Sequence, residues 1–370
     1  MILAQLILQN FFSFILIISL IVFIHEFGHF IVARWCGVKV DEFAIGFGKE
    51  LIGFTDKQNT RWKFCLFPIG GYVKMHGDRN AASIPDVELV KNMTAEEKKI
   101  SFLGKNVYQR MAIVVAGPVA NFLLAIVIFT FLFRLNGLTT IAPIVDEVLP
   151  ESAAFASGLQ KGDEILQVDD VEIVTFDDMR QIVTTSADRT LAFKIKRNDR
   201  IIDLDLTPKI RTTKDFFGDE VRIGMIGVSA SEVTHEKLNL GQSFLRANVE
   251  TYNTSISIFK ALGELLTGQR SLEELGGPIK IAKYSGKTVE MGFIAVIWFM
   301  AMISVNLGVM NLLPVPVLDG GHLFYYIIEA IFRKPLSQKL QQIGFKIGFS
   351  LVMTLMLFTT FNDVRQLFFN

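Results

Sequence analysis

The sequence predicts a polytopic α-helical membrane protein with about four transmembrane helices, a membrane-associated β-hairpin or small sheet, and one extracytoplasmic α+β domain. Three observations carry that reading. The 370 residues are 51% hydrophobic with 33 phenylalanines, and the mean hydropathy is +0.40, more apolar than an ordinary soluble domain. Four stretches reach the roughly 20 apolar residues that cross a bilayer. The segments between them alternate between basic loops and one long segment of short strands and glycine turns. The formal net charge is zero, so no bulk field points to a nucleic-acid partner. Two cysteines, Cys36 and Cys65, do not make a disulfide framework.

The first span is expected over 6–33. It is too long for a signal-peptide core and lacks a basic leader and a small-residue cleavage site, so it reads as a retained helix (1–37 with its flanks). The others are expected over 111–133, 293–313 and 343–361. The loop from Arg34 to Arg110 is rich in Lys and Arg, and the loop between spans three and four holds Arg333, Lys334 and Lys339. With four spans both loops share one side, and their basic bias makes it the cytoplasm. Both termini and the 134–292 segment then face outward.

The cytoplasmic loop opens with "VKVDEFAIGFGKELIGF" and "TRWKFCLFPIGGYVKMHG", rich in β-formers and separated by the turn-like "TDKQN". A β-hairpin or small sheet is expected over 38–75, followed by a loop over 76–110. Its aromatic content is high for a solvated loop, which places it against membrane or protein. In the outer segment, 138–231 reads as a small α+β domain. Within 236–290, Leu245, Val249, Tyr252, Ile256, Phe259, Leu262 and Leu266 recur at helical spacing. That amphipathic helix either packs on the domain or lies at the membrane interface. Pro278 suits a helix first turn.

Polar residues inside spans mark function. The first span holds His25, Glu26 and His29, the His-Glu-x-x-His pattern. On a helix the two imidazoles lie one turn apart on one face and can bind a single zinc ion. A zinc ion acidifies the water it holds, and Glu26, offset from the two rings, can take up the proton. The alternative is a pair of helix histidines satisfied by their neighbours. A catalytic zinc needs a third protein ligand. The position where a third histidine would extend the motif is Trp35. The third span ends in "NLLPVPVLDGGHLF", where Pro314 and Pro316 stop the helix and Asp319 follows in a Gly-rich break, with a turn and helix expected over 314–341. Asp319 is the best third ligand, unless it only caps the next helix; His322 is the runner-up, or a supporting partner of a ligand. In "AGPVAN", 116–121, Ala116 and Ala120 offer a small face for close helix packing, and Asn121 either packs or hydrogen-bonds toward the site.

Taken together, His25–His29, "AGPVAN" and "NLLPVPVLDGGH" resemble the site-2 protease family of intramembrane zinc metalloproteases, in its bacterial regulator of sigma-E protease type. The resemblance covers essentially the whole chain. It implies one zinc ion held by His25, His29 and Asp319, with Glu26 as general base. It also implies substrates that are single-span membrane proteins, anti-sigma factors or remnant signal peptides already cut on the outer side. Asn311 and Pro314 match family positions that handle substrate. The outer domain looks like a PDZ domain, single where better-known members carry two. Its peptide strand would be "GMIGVSAS", with a carboxylate loop at Met225, Ile226, Gly227 and Val228; the competing role is a size filter. The β element would re-enter the membrane and capture an unwound substrate by strand addition, with Gly46 and Gly48 allowing close backbone approach. Two other functions fit part of the pattern: a metal-ion transporter or permease, which would explain the intramembrane His, Glu and Asp but not the outer domain, and a non-catalytic scaffold with a purely structural metal.

Overall fold

A computed structural model describes residues 2–78, 93–214, 220–268 and 276–369. It divides into two compact units, Met1–Leu132 with Gln242–Asn370, and Phe133–Gly241.

The first unit is built on helices α1 (Ile2–Trp35), α2 (Ala95–Ile100), α3 (Val107–Asn136), α6 (Leu240–Leu266), α7 (Pro278–Met291), α8 (Phe293–Leu312), α9 (Asp319–Phe332) and α10 (Gln338–Phe369). Four of these, α1, α3, α8 and α10, are long and apolar enough to cross a membrane; they match the four expected spans, with longer ends in α1, α3 and α10 and one residue fewer in α8. Helix α1 stops where Gly37 takes a positive φ of 70°. Val38 N–H then bonds the Ala33 carbonyl and Gly37 N–H the Arg34 carbonyl, a glycine C-cap that satisfies the helix's last acceptors. Val38 turns inward, 3% exposed, and the chain leaves directly into β1.

The expected β element is present as β1 (Val40–Thr55) and β2 (Arg61–Met75). Both strands bend back on themselves. Residues 42–45 of β1 therefore lie between two lengths of β2, with Ile45 opposite both Phe64 and Gly71, while 50–55 pairs with 61–65. The bends coincide with Gly46 and Gly48, at φ 86° and 89°, and with Gly70 at 106°, a region of backbone space that other residues avoid. The turn is fixed by Asp56, whose carboxylate accepts from Gln58 and Thr60 N–H and from Arg34 at the end of α1 (2.6 Å). One half of this sheet is core: Phe43 stacks on Trp62 at 4.4 Å between ring centres, and both join Phe30, Ala33, Val73, Phe102, Ile113 and Tyr326 in one apolar cluster. The other half leaves Phe47, Ile52, Phe54 and Phe67 exposed.

Helix α6 turns its expected apolar stripe outward. Leu245, Val249, Tyr252, Ile256 and Phe259 are exposed, and the buried residues are Ser243, Ala247, Thr251 and Thr254. The inward face is small and polar, so that surface admits only close packing without bulk. Helix α7 begins with Pro278 at its first turn, and its free N–H groups are capped by another helix: Asp363 of α10 accepts from Gly277 N and Lys280 N, each at 3.0 Å.

The second unit holds β3 to β12 between Leu138 and Glu236, with helices α4 (Ala153–Ala156) and α5 (Phe176–Thr185). A four-stranded sheet in the order β6–β5–β7–β8 (Val171–Glu172, Glu164–Val168, Leu191–Arg197, Arg200–Leu206) is accompanied by three two-stranded ribbons. Alternation along β7 puts Leu191, Phe193 and Ile195 inside, where they meet Val145, Ile165, Val168, Met179 and Leu206. Thr175 and Asp178 form a reciprocal cap on α5, and Arg197 grips the fully buried Asp163 through two bonds of 2.7 Å. The unit thus has strands, a helix and its own core, as the α+β reading requires.

Candidate metal centre

Helix α1 presents His25 and His29 on one face, and their Nε2 atoms lie 3.3 Å apart. Asp319, the first residue of α9 after the proline-rich break, brings Oδ2 to 3.1 Å from His25 Nε2 and 3.5 Å from His29 Nε2. Ligand atoms of His25, His29 and Asp319 all lie within 4.8 Å of one another, the one such group among the described residues. His322 is not part of it. Two imidazole nitrogens and a carboxylate oxygen are the donor set of a catalytic zinc site with one position left open. A second observation fits: Asp319 Oδ2 is buried without a hydrogen-bond partner of proper geometry. A buried carboxylate oxygen is costly in that state, and a cation at the shared point removes the cost. His29 Nδ1 lies 2.8 Å from the Ile113 carbonyl, which only accepts, so the proton sits on Nδ1 and the lone pair on Nε2.

The helix behind the site makes this closeness possible. A methyl group on Gly117 of α3 would lie 2.3 Å from His29 Nε2 and 2.9 Å from His25 Cε1. A methyl group on Gly28 would lie 2.4 Å from the Ala116 carbonyl and 2.7 Å from Ala120 Cβ. Ala116 and Ala120 thus form the small face expected of them. Sequence pattern alone does not single out Gly28 and Gly117, though a glycine inside a span costs about 1 kcal/mol of helix propensity and calls for a reason. Pro118, inside α3, has no N–H for the carbonyl four residues back and crowds it, next to the carbonyl that His29 uses.

Glu26 faces a different wall. The backbone N–H of Val73 in β2 hydrogen-bonds it, and a methyl group on Gly71 would lie 3.2 Å from its Cγ. The carboxylate therefore stands between the histidine pair and the edge of the sheet. Asn121 is fully buried, its side-chain nitrogen 3.0 Å from His25 Nδ1. Asn311 is half-buried at the end of α8 and Pro314 exposed in the break; neither is among the metal-ligating group. The close approach at Gly46 is to the Phe67 carbonyl of β2, 2.6 Å from where a methyl would stand, and Gly48 faces the Phe67 ring. In the second unit, Met225 ends β10 (Glu220–Met225), Val228 starts β11 (Val228–Ser229), and Gly227 lies between them at φ 80°. The Ile226 side chain is buried in the core, and the residue borders a small cavity of about 60 Å³ whose lining includes Ser152, Lys209, Arg211 and Met225.

Comparison with known proteins finds relatives that cover nearly the whole chain. A protein of Agrobacterium fabrum is 40% identical over 358 residues, covering 96% of this chain and 95% of its own. A protein of Rickettsia conorii is 38% identical over 361 residues, covering 96% and 98%. Both carry zinc-metalloprotease names. The metalloprotease MmpA of Caulobacter vibrioides is 36% identical over 377 residues, covering 96% and 95%. With residues 13–355 matching the model of peptidase family M50, the chain belongs to that family of zinc metalloproteases, the site-2 type, and is a multi-pass membrane protein.

Proposed function

We propose that this metalloprotease hydrolyses peptide bonds within the transmembrane segments of single-span membrane proteins. The observation that carries the reading is the convergence of His25, His29 and Asp319, with Glu26 beside them, on a helix long enough to cross the membrane. His25, His29 and Asp319 would hold zinc, which when bound supplies Lewis-acid polarisation and acidifies water. Glu26 takes the proton of the attacking water and returns it to the leaving amine. A helical substrate must unwind before its carbonyl is reachable, and the edge of β2 at 71–75 offers backbone groups beside Glu26 on which an extended segment can lie. Asn311 and Pro314 guide that segment, and Gly46 and Gly48 set the bends that shape the sheet.

The basic loops face the cytoplasm of a bacterial inner membrane; both termini and the second unit face outward. The exposed aromatics of β1 and β2 and the outward stripe of α6 meet lipid. The second unit acts as a PDZ-like domain that screens substrates already cut on the outer side, anti-sigma factors or remnant signal peptides. Lys209 and Arg211 beside the cavity at Gly227 suit a peptide carboxylate. The test is co-expression with a tagged single-span substrate. Glu26→Gln should retain zinc and lose about 100-fold or more in cleavage, and Asp319→Asn should lose zinc as well; undiminished cleavage by either variant sinks the proposal.

A further inference from the structure

His25 lies buried between two sets of neighbours. Its Nε2 is 3.1 Å from Asp319 Oδ2 and 3.3 Å from His29 Nε2. Its Nδ1 is 3.0 Å from the side-chain nitrogen of Asn121. A neutral imidazole donates from one ring nitrogen and accepts at the other. A ring that gives its Nε2 lone pair to a metal carries its proton on Nδ1 and needs an acceptor there. An amide nitrogen is not an acceptor. The oxygen of the same amide, Asn121 Oδ1, is buried and finds no hydrogen-bond partner among the described residues. His29 shows the arrangement completed, with its Nδ1 against the carbonyl of Ile113. A carboxamide keeps its shape when oxygen and nitrogen exchange places. Here the exchange sets an acceptor opposite Nδ1–H and gives the stranded oxygen its partner.

We propose that Asn121 is a positioning residue for the metal: its Oδ1 accepts the Nδ1–H of His25 and keeps the Nε2 lone pair on the point shared with His29 and Asp319. Asn121 is itself held in place. Ser304 of α8, fully buried, donates to the Asn121 backbone carbonyl at 2.8 Å. One residue thus joins three of the membrane-length helices: α3 carries it, α8 fixes its backbone, and its side chain sets the ligand on α1.

The inference rests on the metalloprotease reading, but its test uses no substrate, so a protein that binds zinc and fails to cleave would leave it standing. Zinc affinity is measured by chelator competition on the full-length chain in lipid nanodiscs. Asn121→Leu removes the acceptor and should weaken binding by about 10- to 100-fold. Asn121→Asp can only accept, and should bind at least as tightly as wild type. Melting of each metal-free variant separates lost packing from lost affinity. The cobalt-loaded form gives a spectroscopic check: its visible bands should match wild type in Asn121→Asp and change in Asn121→Leu. An aspartate variant as weak as the leucine variant, or a leucine variant of unchanged affinity, overturns the proposal. Should neither variant fold, the ¹⁵N histidine spectrum of the zinc-loaded wild type decides it: Nδ1 of His25 should be protonated, and an unprotonated Nδ1 is the contrary result.

Discussion

Gly117 supplies empty space where the two imidazoles meet α3. Gly117→Ala places a methyl group 2.3 Å from His29 Nε2, and the backbone of α3 cannot yield as a flexible side chain would. The variant should fold, since alanine favours helix by about 1 kcal/mol over glycine, yet lose zinc; a melting temperature equal to or above wild type together with reduced metal content is the expected pair of results. Asp78, outside the spans, makes a different prediction. Burial pushes its carboxyl up to about 7, against the opposing pull of the Met75 N–H and of Lys74. The unfolded chain releases that proton near about 3.9. Between those values the folded state binds more protons, so stability falls as pH rises and levels off above 7. Asp78→Asn should melt higher than wild type at pH 8, by an amount equivalent to at most about 4 kcal/mol, and the difference should vanish near pH 4. The contrast in legibility is physical. His25, Glu26 and His29 declare themselves because one helical turn puts them together. Gly117 and Asn121 owe their roles to a second helix: the small face at Ala116 and Ala120 marks where α3 packs closely, but nothing local reveals that its partner is α1.

At the scale of elements, α9 carries Asp319, the proposed third ligand, at its first residue and is held further along by a part-buried ion pair. Arg110 at the start of α3 reaches Glu329 through bonds of 2.6 and 3.2 Å, with the guanidinium over the Tyr326 ring at 4.8 Å. Removing one member leaves a largely desolvated charge alone, which costs up to about 3–5 kcal/mol. Arg110→Ala should therefore destabilise strongly, whereas Arg110→Met combined with Glu329→Leu should recover most of the loss in a thermal melt. The cap that α10 places on α7 behaves similarly: Asp363→Ala should cost about 0.5–2 kcal/mol. Such pairings, 219 and 86 positions apart in the chain, left no periodic trace in the sequence. Helix α6 teaches the opposite lesson. Its apolar stripe was plain, but periodicity names two faces without saying which one is inside, and here the small residues took that place.

For the whole molecule, four spans, a small sheet and an α+β unit were legible because each follows from length, hydropathy or alternation. The sheet's double-sided register was not, since it depends on where β1 and β2 bend. The second unit has a closed core of its own, from Val145 to Ile226. Expressed alone as residues 137–237, it should unfold cooperatively; a fragment without a melting transition would show that it depends on the remainder.

The place of Asp319 in the chain bears on biosynthesis. His25 and His29 emerge from the ribosome early, and Asp319, the proposed third ligand, follows nearly three hundred residues later. At about 5–20 residues per second, the nascent protein spends many seconds in the membrane with two of the three proposed ligands. Until translation passes Asp319 the proposed metal site is incomplete, so on the function proposed above the growing polypeptide should be inactive. A chain ended at residue 318 should insert stably and hold no zinc.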